Sequence, residues 1–375
     1  MHGKDVFVVA DNLFTPLGKT TTENFSNLKQ GISAVTEHID GAISPNPFFA
    51  ALFDKDAFST DNQHTKFEQL LIASIADALR QSGLNASDEK TVFILSSTKG
   101  NISLLETEKD TPGLQERISL SASAKLIAEH FGFINKPVVI SNACVSGVVA
   151  IITGMRLLRK GQYENAVITG ADIISEFILS GFQSFQALTA GICKPFDKNR
   201  DGLNLGEGAG TVILSSNPQY SGNIKALGGG ISNDANHISG PSRTGKELSF
   251  AIGQALKDAG ISANDIDFIS AHGTATPYND EMEANAISLS GLENGPLNSL
   301  KANYGHTLGA AGLIESIISV QSLKEGLVLP TMGFEEKGTT KPVNICSSLL
   351  QMEAKNFLKT ASGFGGCNAA IVFGK

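Results

Sequence analysis

The 375-residue chain is 41% hydrophobic and 18% charged, with 39 glycines, so it can bury a large core, and disorder or collagen-like order is excluded. Its 29 basic and 37 acidic residues leave a net charge of −8, and no basic run marks a nucleic-acid footprint. The length suits two to three domains or one large α/β domain. Four scattered cysteines, Cys144, Cys193, Cys346 and Cys367, form no CxxC pair, which points to a reducing cytoplasm rather than a disulfide framework or zinc knuckle.

The opening Met1–Leu13 has one short apolar run and then polar residues, unlike a signal peptide. Downstream, an amphipathic helix closes at Ala78-Leu79-Arg80-Gln81-Ser82-Gly83 and turns into a strand, Thr91–Ser96. Pro137–Met155 carries no charge for nineteen residues. Its serines, asparagine and glycines split it into a short, fully buried strand and a helix rather than a membrane span. Asn142-Ala143-Cys144-Val145-Ser146-Gly147 opens that helix, which closes near Lys160-Gly161.

The same series then recurs. Ala255-Leu256-Lys257-Asp258-Ala259-Gly260 closes a second amphipathic helix before the strand Ile266–Ala271. Asn303-Tyr304-Gly305-His306-Thr307-Leu308-Gly309 opens a second glycine-rich helix ending at Glu325-Gly326. Two echoes in one order predict a duplicated α/β half, divided into residues 1–215 and 216–375. Strands alternating with helices imply mixed or parallel sheets covered on both faces. Both glycine-rich helices are apolar nearly all round, as a helix between two sheets must be. Gly147, Gly154, Gly309 and Gly312 would permit close approach there. Near the C-terminus Phe357–Ala361 and Ala369–Phe373 flank Gly363-Phe364-Gly365-Gly366, which suits either a ligand-hugging loop or a plain hairpin turn.

Three residues stand where chemistry is placed. Cys144 lies at a helix N-terminus, where partial positive charge lowers a thiol's pKa and N–H donors can meet an oxyanion. The same position also suits a small buried apolar residue. His272 follows a strand in His272-Gly273-Thr274-Ala275-Thr276, at a C-terminal strand end that favours sites, although a backbone-bound capping histidine fits too. His306 enters the second helix nearly where Cys144 enters the first. Pseudo-symmetry would bring both helix starts to one centre.

Six blocks resemble the β-ketoacyl-acyl-carrier-protein synthases, in that family's order and over essentially the whole chain. They are Asn142-Ala143-Cys144, Pro195–Gly202, Gly206-Glu207-Gly208-Ala209-Gly210, His272-Gly273-Thr274, Gly305–Gly312 and Gly363–Gly366. The resemblance implies the thiolase fold, duplicated α/β halves in five α-β-α-β-α layers. Histidine rather than asparagine at 306 implies the elongating, decarboxylating type, an acyltransferase of fatty acid, polyketide or polyene synthesis. Cys144 would be the nucleophile, His272 and His306 the donors to malonyl thioester, and the N–H groups of Cys144 and Phe364 the oxyanion hole. Both histidines would be neutral with a fixed tautomer. Lys301 would belong to the catalytic set, Glu315 would support it, and Thr274 and Thr276 would bind pantetheine. No metal or resident cofactor is implied, since the phosphopantetheine arm arrives with the substrate.

The implied partners are acyl carrier protein, malonyl and acyl thioesters, and a second copy or a related ketosynthase-like chain, with no nucleic acid and no membrane. An acidic enzyme meeting an acidic carrier needs a local basic patch, for which Lys66, Arg156, Arg159, Lys160, Lys194, Lys198 and Arg200 are candidates. Asp197, Arg200, Asp201 and Glu207 read as structural. Cys367, a departure from the family's threonine or serine, raises a thiolase as a rival. A non-catalytic chain-length-factor-like partner is another, but Cys144 argues against it. Leu188–Pro195 is short for the family and Ala275 stands where glycine is common.

Overall fold

The computed structural model describes residues 4–39, 41, 43–58, 63–108, 112–220, 222–236 and 238–375; Met1–Gly3 of the opening run lie outside them. The main-sheet strands are β1 (Phe7–Phe14), β2 (Thr91–Ser96), β3 (Val138–Ile140), β4 (Asn165–Asp172), β5 (Gly208–Ser215), β6 (Lys225–Asn233), β7 (Phe268–Ser270), β8 (Pro296–Asn298), β9 (Asn344–Ile345), β10 (Asn356–Gly363) and β11 (Cys367–Gly374). Among the described residues they form one sheet in the order β9-β8-β7-β10-β11-β6-β1-β5-β4-β2-β3.

The duplication shows in the strand directions. Outward from β1 come β5 and β4, antiparallel, then β2 and β3, parallel. Outward from β6 come β11 and β10, antiparallel, then β7 and β8, parallel. The two half-sheets join through the pairing of Phe7 with Lys225.

Five helices matter here: α1 (Lys66–Ser82), α2 (Ser146–Arg159), α3 (Lys246–Ala259), α4 (Pro277–Leu289) and α5 (Ala311–Glu325). Thr65 and Glu68 build a capping box that starts α1. Left-handed Gly83 and Gly260 end α1 and α3, as the repeat requires. α1 covers β1, β5 and β4, while α3 covers β6 and β11. α2 and α5 each touch strands of both half-sheets and pack on one another, which completes the α-β-α-β-α layering. Nearly every residue of α5 is buried, and most of α2.

The uncharged stretch is indeed a strand and a helix, and no helix among the described residues is long and apolar enough to cross a membrane. Its strand differs from expectation. β3 is half-buried rather than fully buried, because it is the last strand of the sheet and has a neighbour on one side only.

The helix crossing explains Gly147 and Gly312. A Cβ on Gly147 would stand 2.6 Å from the Leu313 amide nitrogen, and one on Gly312 would stand 2.5 Å from Val148. Gly154 and Gly309 are similarly confined, against Ile168 and the Thr98 amide. Gly147→Ala should therefore cost about 1–3 kcal/mol of stability through overpacking. Gly253→Ala, on a part of α3 with open space around the Cβ, should gain about 0.5–1 kcal/mol. Urea denaturation midpoints of the two variants check the opposite signs.

Candidate active site

Cys144 sits in a tight turn between β3 and α2. Val145 and Ser146 donate their N–H groups back to the carbonyls of Asn142 and Ala143, each at 3.2 Å. The Ser146 hydroxyl donates to the Ala143 carbonyl at 2.6 Å and accepts from the Asn142 amide at 2.8 Å. This closure holds Ala143 at φ 44°, in the left-handed region that non-glycine residues adopt only under constraint. Ala275 (φ 60°), Leu308 (φ 50°) and the cavity-lining Gln186 (φ 53°) are constrained likewise. Ala275 thus holds, at a cost, a conformation that glycine adopts freely.

The backbone of His306 is held by two hydrogen bonds. Its amide donates to the Asn204 carbonyl at 2.6 Å, and its carbonyl accepts from the Gly206 amide at 3.1 Å. A Cβ on Gly206 would lie 1.9 Å from the Tyr304 carbonyl oxygen. The glycine-rich segment from Gly206 is therefore the surface against which the His306 turn rests. Gly309 N–H donates to the buried Asp172 carboxylate at 2.7 Å and fixes the other side of that turn.

Cys144, His272, His306, Thr274, Thr276 and Phe364 all line one cavity of about 460 Å³, with Phe182 stacked on Phe364 and Phe185 meeting it edge-on. The two imidazoles meet edge-to-face, with ring centres 5.2 Å apart. The Phe364 N–H hydrogen-bonds the Cys144 sulfur. The hydroxyls of Thr274 and Thr276 bond one another at 2.9 Å. Lys301 and Glu315 stand behind the wall, not on it. Lys301 is fully buried, donates to the His272 carbonyl at 2.9 Å and is ion-paired to Glu315.

Electrostatics correct one expectation. Burial pushes the Cys144 thiol up to about 11, although the charge of Lys301 and the Phe364 N–H pull it down. Desolvation outweighs the helix terminus at a residue only 7% exposed. Both histidines lie well below 6.5, through burial first and Lys301 next, so both rings are neutral near pH 7. Their tautomers are not fixed by the protein at Nδ1, since among the described residues neither Nδ1 meets a hydrogen-bond partner.

Several charged side chains escaped the sequence analysis: Glu283, Asp280, Asp172 and Lys359, all buried. Burial holds Asp172 at about 6 and Asp280 at about 7. Lys359 could have been noticed, as a lysine at an inward position of a strand beside Phe357 and Ala361 of the core. Asp197 and Glu207 are structural as expected, accepting backbone N–H groups from three and two residues, respectively. Asp201 instead lines the cavity. Four of the seven basic-patch candidates are ion-paired: Lys66 with Glu207, Lys198 with Glu336, Arg159 with Asp258 and Arg200 with Glu281. Arg156, Arg159 and Lys160 lie at the far end of α2 from Cys144, about 20 Å along the axis at 1.5 Å per residue. Cys367 does not line the cavity; its sulfur donates to the Asn142 side-chain oxygen at 2.7 Å.

Residues 3–219 match the family model described as the beta-ketoacyl synthase N-terminal domain, and residues 225–335 match that of its C-terminal domain. The chain belongs to the beta-ketoacyl synthase family. It is 29% identical over 411 residues to 3-oxoacyl-[acyl-carrier-protein] synthase 2 of Vibrio cholerae, covering 100% of this chain and 99% of that protein. The enzyme of the same name from Staphylococcus aureus is 28% identical over 413 residues, at the same coverage. Among solved structures, the ishigamide ketosynthase/chain length factor superposes with TM-score 0.90 at 25% identity, over 100% of this chain and 99% of that one. The ketosynthase ApeO in complex with its chain length factor ApeC, from Xenorhabdus doucetiae, gives TM-score 0.87 at 26% identity, over 99% and 98%.

Alkylation of Cys144 by iodoacetamide should still be accelerating at about pH 10; a plateau near the free-thiol value of about 8.5 would contradict the burial argument. Lys301→Met should slow the reaction at fixed pH, because it removes the cation that favours the thiolate.

Proposed function

We propose that this chain is a decarboxylating ketosynthase that condenses an acyl group with malonyl-acyl carrier protein to give β-ketoacyl-acyl carrier protein. The observation that carries it is the convergence of one thiol and two neutral imidazoles on one cavity, with the Phe364 N–H directed at the sulfur. In the first half-reaction the Cys144 sulfur attacks the acyl thioester. It gives up its proton, the pantetheine thiol leaves, and the acyl group is held as a new thioester. A neutral imidazole on the cavity wall can accept that proton, which a cationic one could not. The N–H groups of Cys144 and Phe364 would meet the tetrahedral oxyanion.

In the second half-reaction His272 and His306 donate hydrogen bonds to the malonyl thioester oxygen. Loss of CO₂ places enolate charge there, so these donors favour the transition state over the ground state. Substrate, rather than a protein partner at Nδ1, then selects the tautomer that donates. The carbanion attacks acyl-Cys144, and the sulfur departs as thiolate. Lys301 and Glu315 act from behind the wall by positioning, and Thr274 and Thr276 face the path of the pantetheine arm.

The reading calls for no resident cofactor. Its partners are acyl carrier protein and a second ketosynthase-like chain, either a copy or a chain length factor of the kind named in the neighbouring complexes. A chain acting only as such a factor has no need of this thiol and imidazole pair. Four free cysteines fit a cytoplasmic location.

Cys144→Ala should abolish the acyl mass gained on incubation with acyl carrier substrates, and condensation with it, while leaving the thermal midpoint near wild type. His306→Ala should lower malonyl decarboxylation by about 10²–10³-fold, the loss expected for one oxyanion donor, and acyl transfer to Cys144 by much less. Equal losses in both half-reactions would sink the division of roles.

A further inference from the structure

We propose that Lys359 is a positioning residue for His272: from behind the cavity its ammonium grips the carbonyls of the two residues that lead into that histidine. This deepens the ketosynthase reading and rests on it. Lys359 is fully buried in β10. Its Nζ donates to the carbonyls of Ser270 at 3.2 Å and Ala271 at 2.9 Å, and lies 2.6 Å from the Glu315 carboxylate. Lys301 takes the next carbonyl, that of His272, and the other oxygen of Glu315. Three successive carbonyls thus end on two ammonium groups bridged by one carboxylate.

The amide side of the same turn is held by two carboxyl groups. The Glu283 carboxylate accepts the N–H groups of His272 and Gly273, each at 2.8 Å, and Asp280 accepts that of Thr274 at 2.9 Å. Glu283 also accepts the hydroxyl of Thr360, the residue after Lys359, at 2.6 Å. β10 therefore reaches both faces of the turn, one through each of two adjacent side chains. An isolated buried ammonium is costly, and a buried pair that adds only stability is replaceable by apolar side chains. Two lysines on one carboxylate, aimed at the backbone of His272 and of the two residues before it, serve geometry instead.

The groups around the imidazole are Glu283 and Asp280 from α4, Glu315 from α5, Lys359 from β10, Lys301, His306, and Cys144 across the cavity. Both lysines and His306 disfavour the imidazolium, in addition to burial. Removing Lys359 takes away the smallest of these contributions, so the ring's pKa should rise while burial and Lys301 still hold it below its ordinary value of about 6.5. Activity that needs neutral His272 is lost as pH falls through that pKa, so the acid limb should move to higher pH.

The test compares wild type, Lys359→Met and Lys359→Arg. In Lys359→Met, malonyl decarboxylation should fall of the order of tenfold to a hundredfold, chiefly in kcat, and its acid limb should shift upward, while acylation of Cys144 stays within about twofold. Lys359→Arg should restore the acid limb. Equal loss of both half-reactions with an unmoved acid limb would reduce Lys359 to packing and overturn the proposal. Histidine NMR titration separates this from the ketosynthase reading, because it needs no turnover. If the wild-type His272 ring titrates near 6.5, the role of Lys359 fails even if Lys359→Met does not fold; if wild type neither acylates nor decarboxylates, the ketosynthase reading fails instead.

Discussion

Backbone meets backbone where α2 crosses α5, and everything at the site follows from that closeness. Two helices flanked by sheets on both sides must touch at their first turns if the residues preceding them are to share a cavity. Any Cβ at Gly147 would collide with the Leu313 amide, which cannot rotate aside as a side chain can. Helix propensity is given up at these glycines, about 1 kcal/mol each, and the return is the convergence of Cys144 and His306. The Gly206 and Tyr304 approach repeats the principle one layer out.

Dryness is the second consequence. A thiol and two imidazoles buried together lose hydration, and each takes its neutral form. Cations near the rings reinforce that state without touching substrate. The same cations favour negative charge, whether thiolate or enolate, as it forms. One arrangement thus disfavours the wrong charge on the histidines and favours the right one on the reacting atoms.

Much of the architecture was legible. Repeated helix–glycine–strand segments reported a real duplication, because local capping and turn chemistry need the same residues wherever the same turn occurs. The cysteine and both histidines were legible because each sits at an element boundary, the histidines directly beside a glycine. Lys359, Glu283, Asp280 and Asp172 were not. Their partners are backbone groups of Ser270, Ala271, His272, Phe196 and Gly309, drawn from other strands and turns. Nothing in the spacing of those residues announces the contact. The same reason explains the basic candidates: a lysine's sequence neighbours do not reveal that Glu207 or Glu336 has already neutralised it.

Composition, periodicity and the ordered blocks by themselves pointed to the α/β class, the duplication and a cysteine and two histidines that line one cavity, because those depend on chain-local rules. Only the tertiary structure decided their charge states. A helix terminus offers a thiolate its stabilisation locally, whereas the desolvation that overrides it at Cys144 is the sum of everything packed around the sulfur from both halves of the chain.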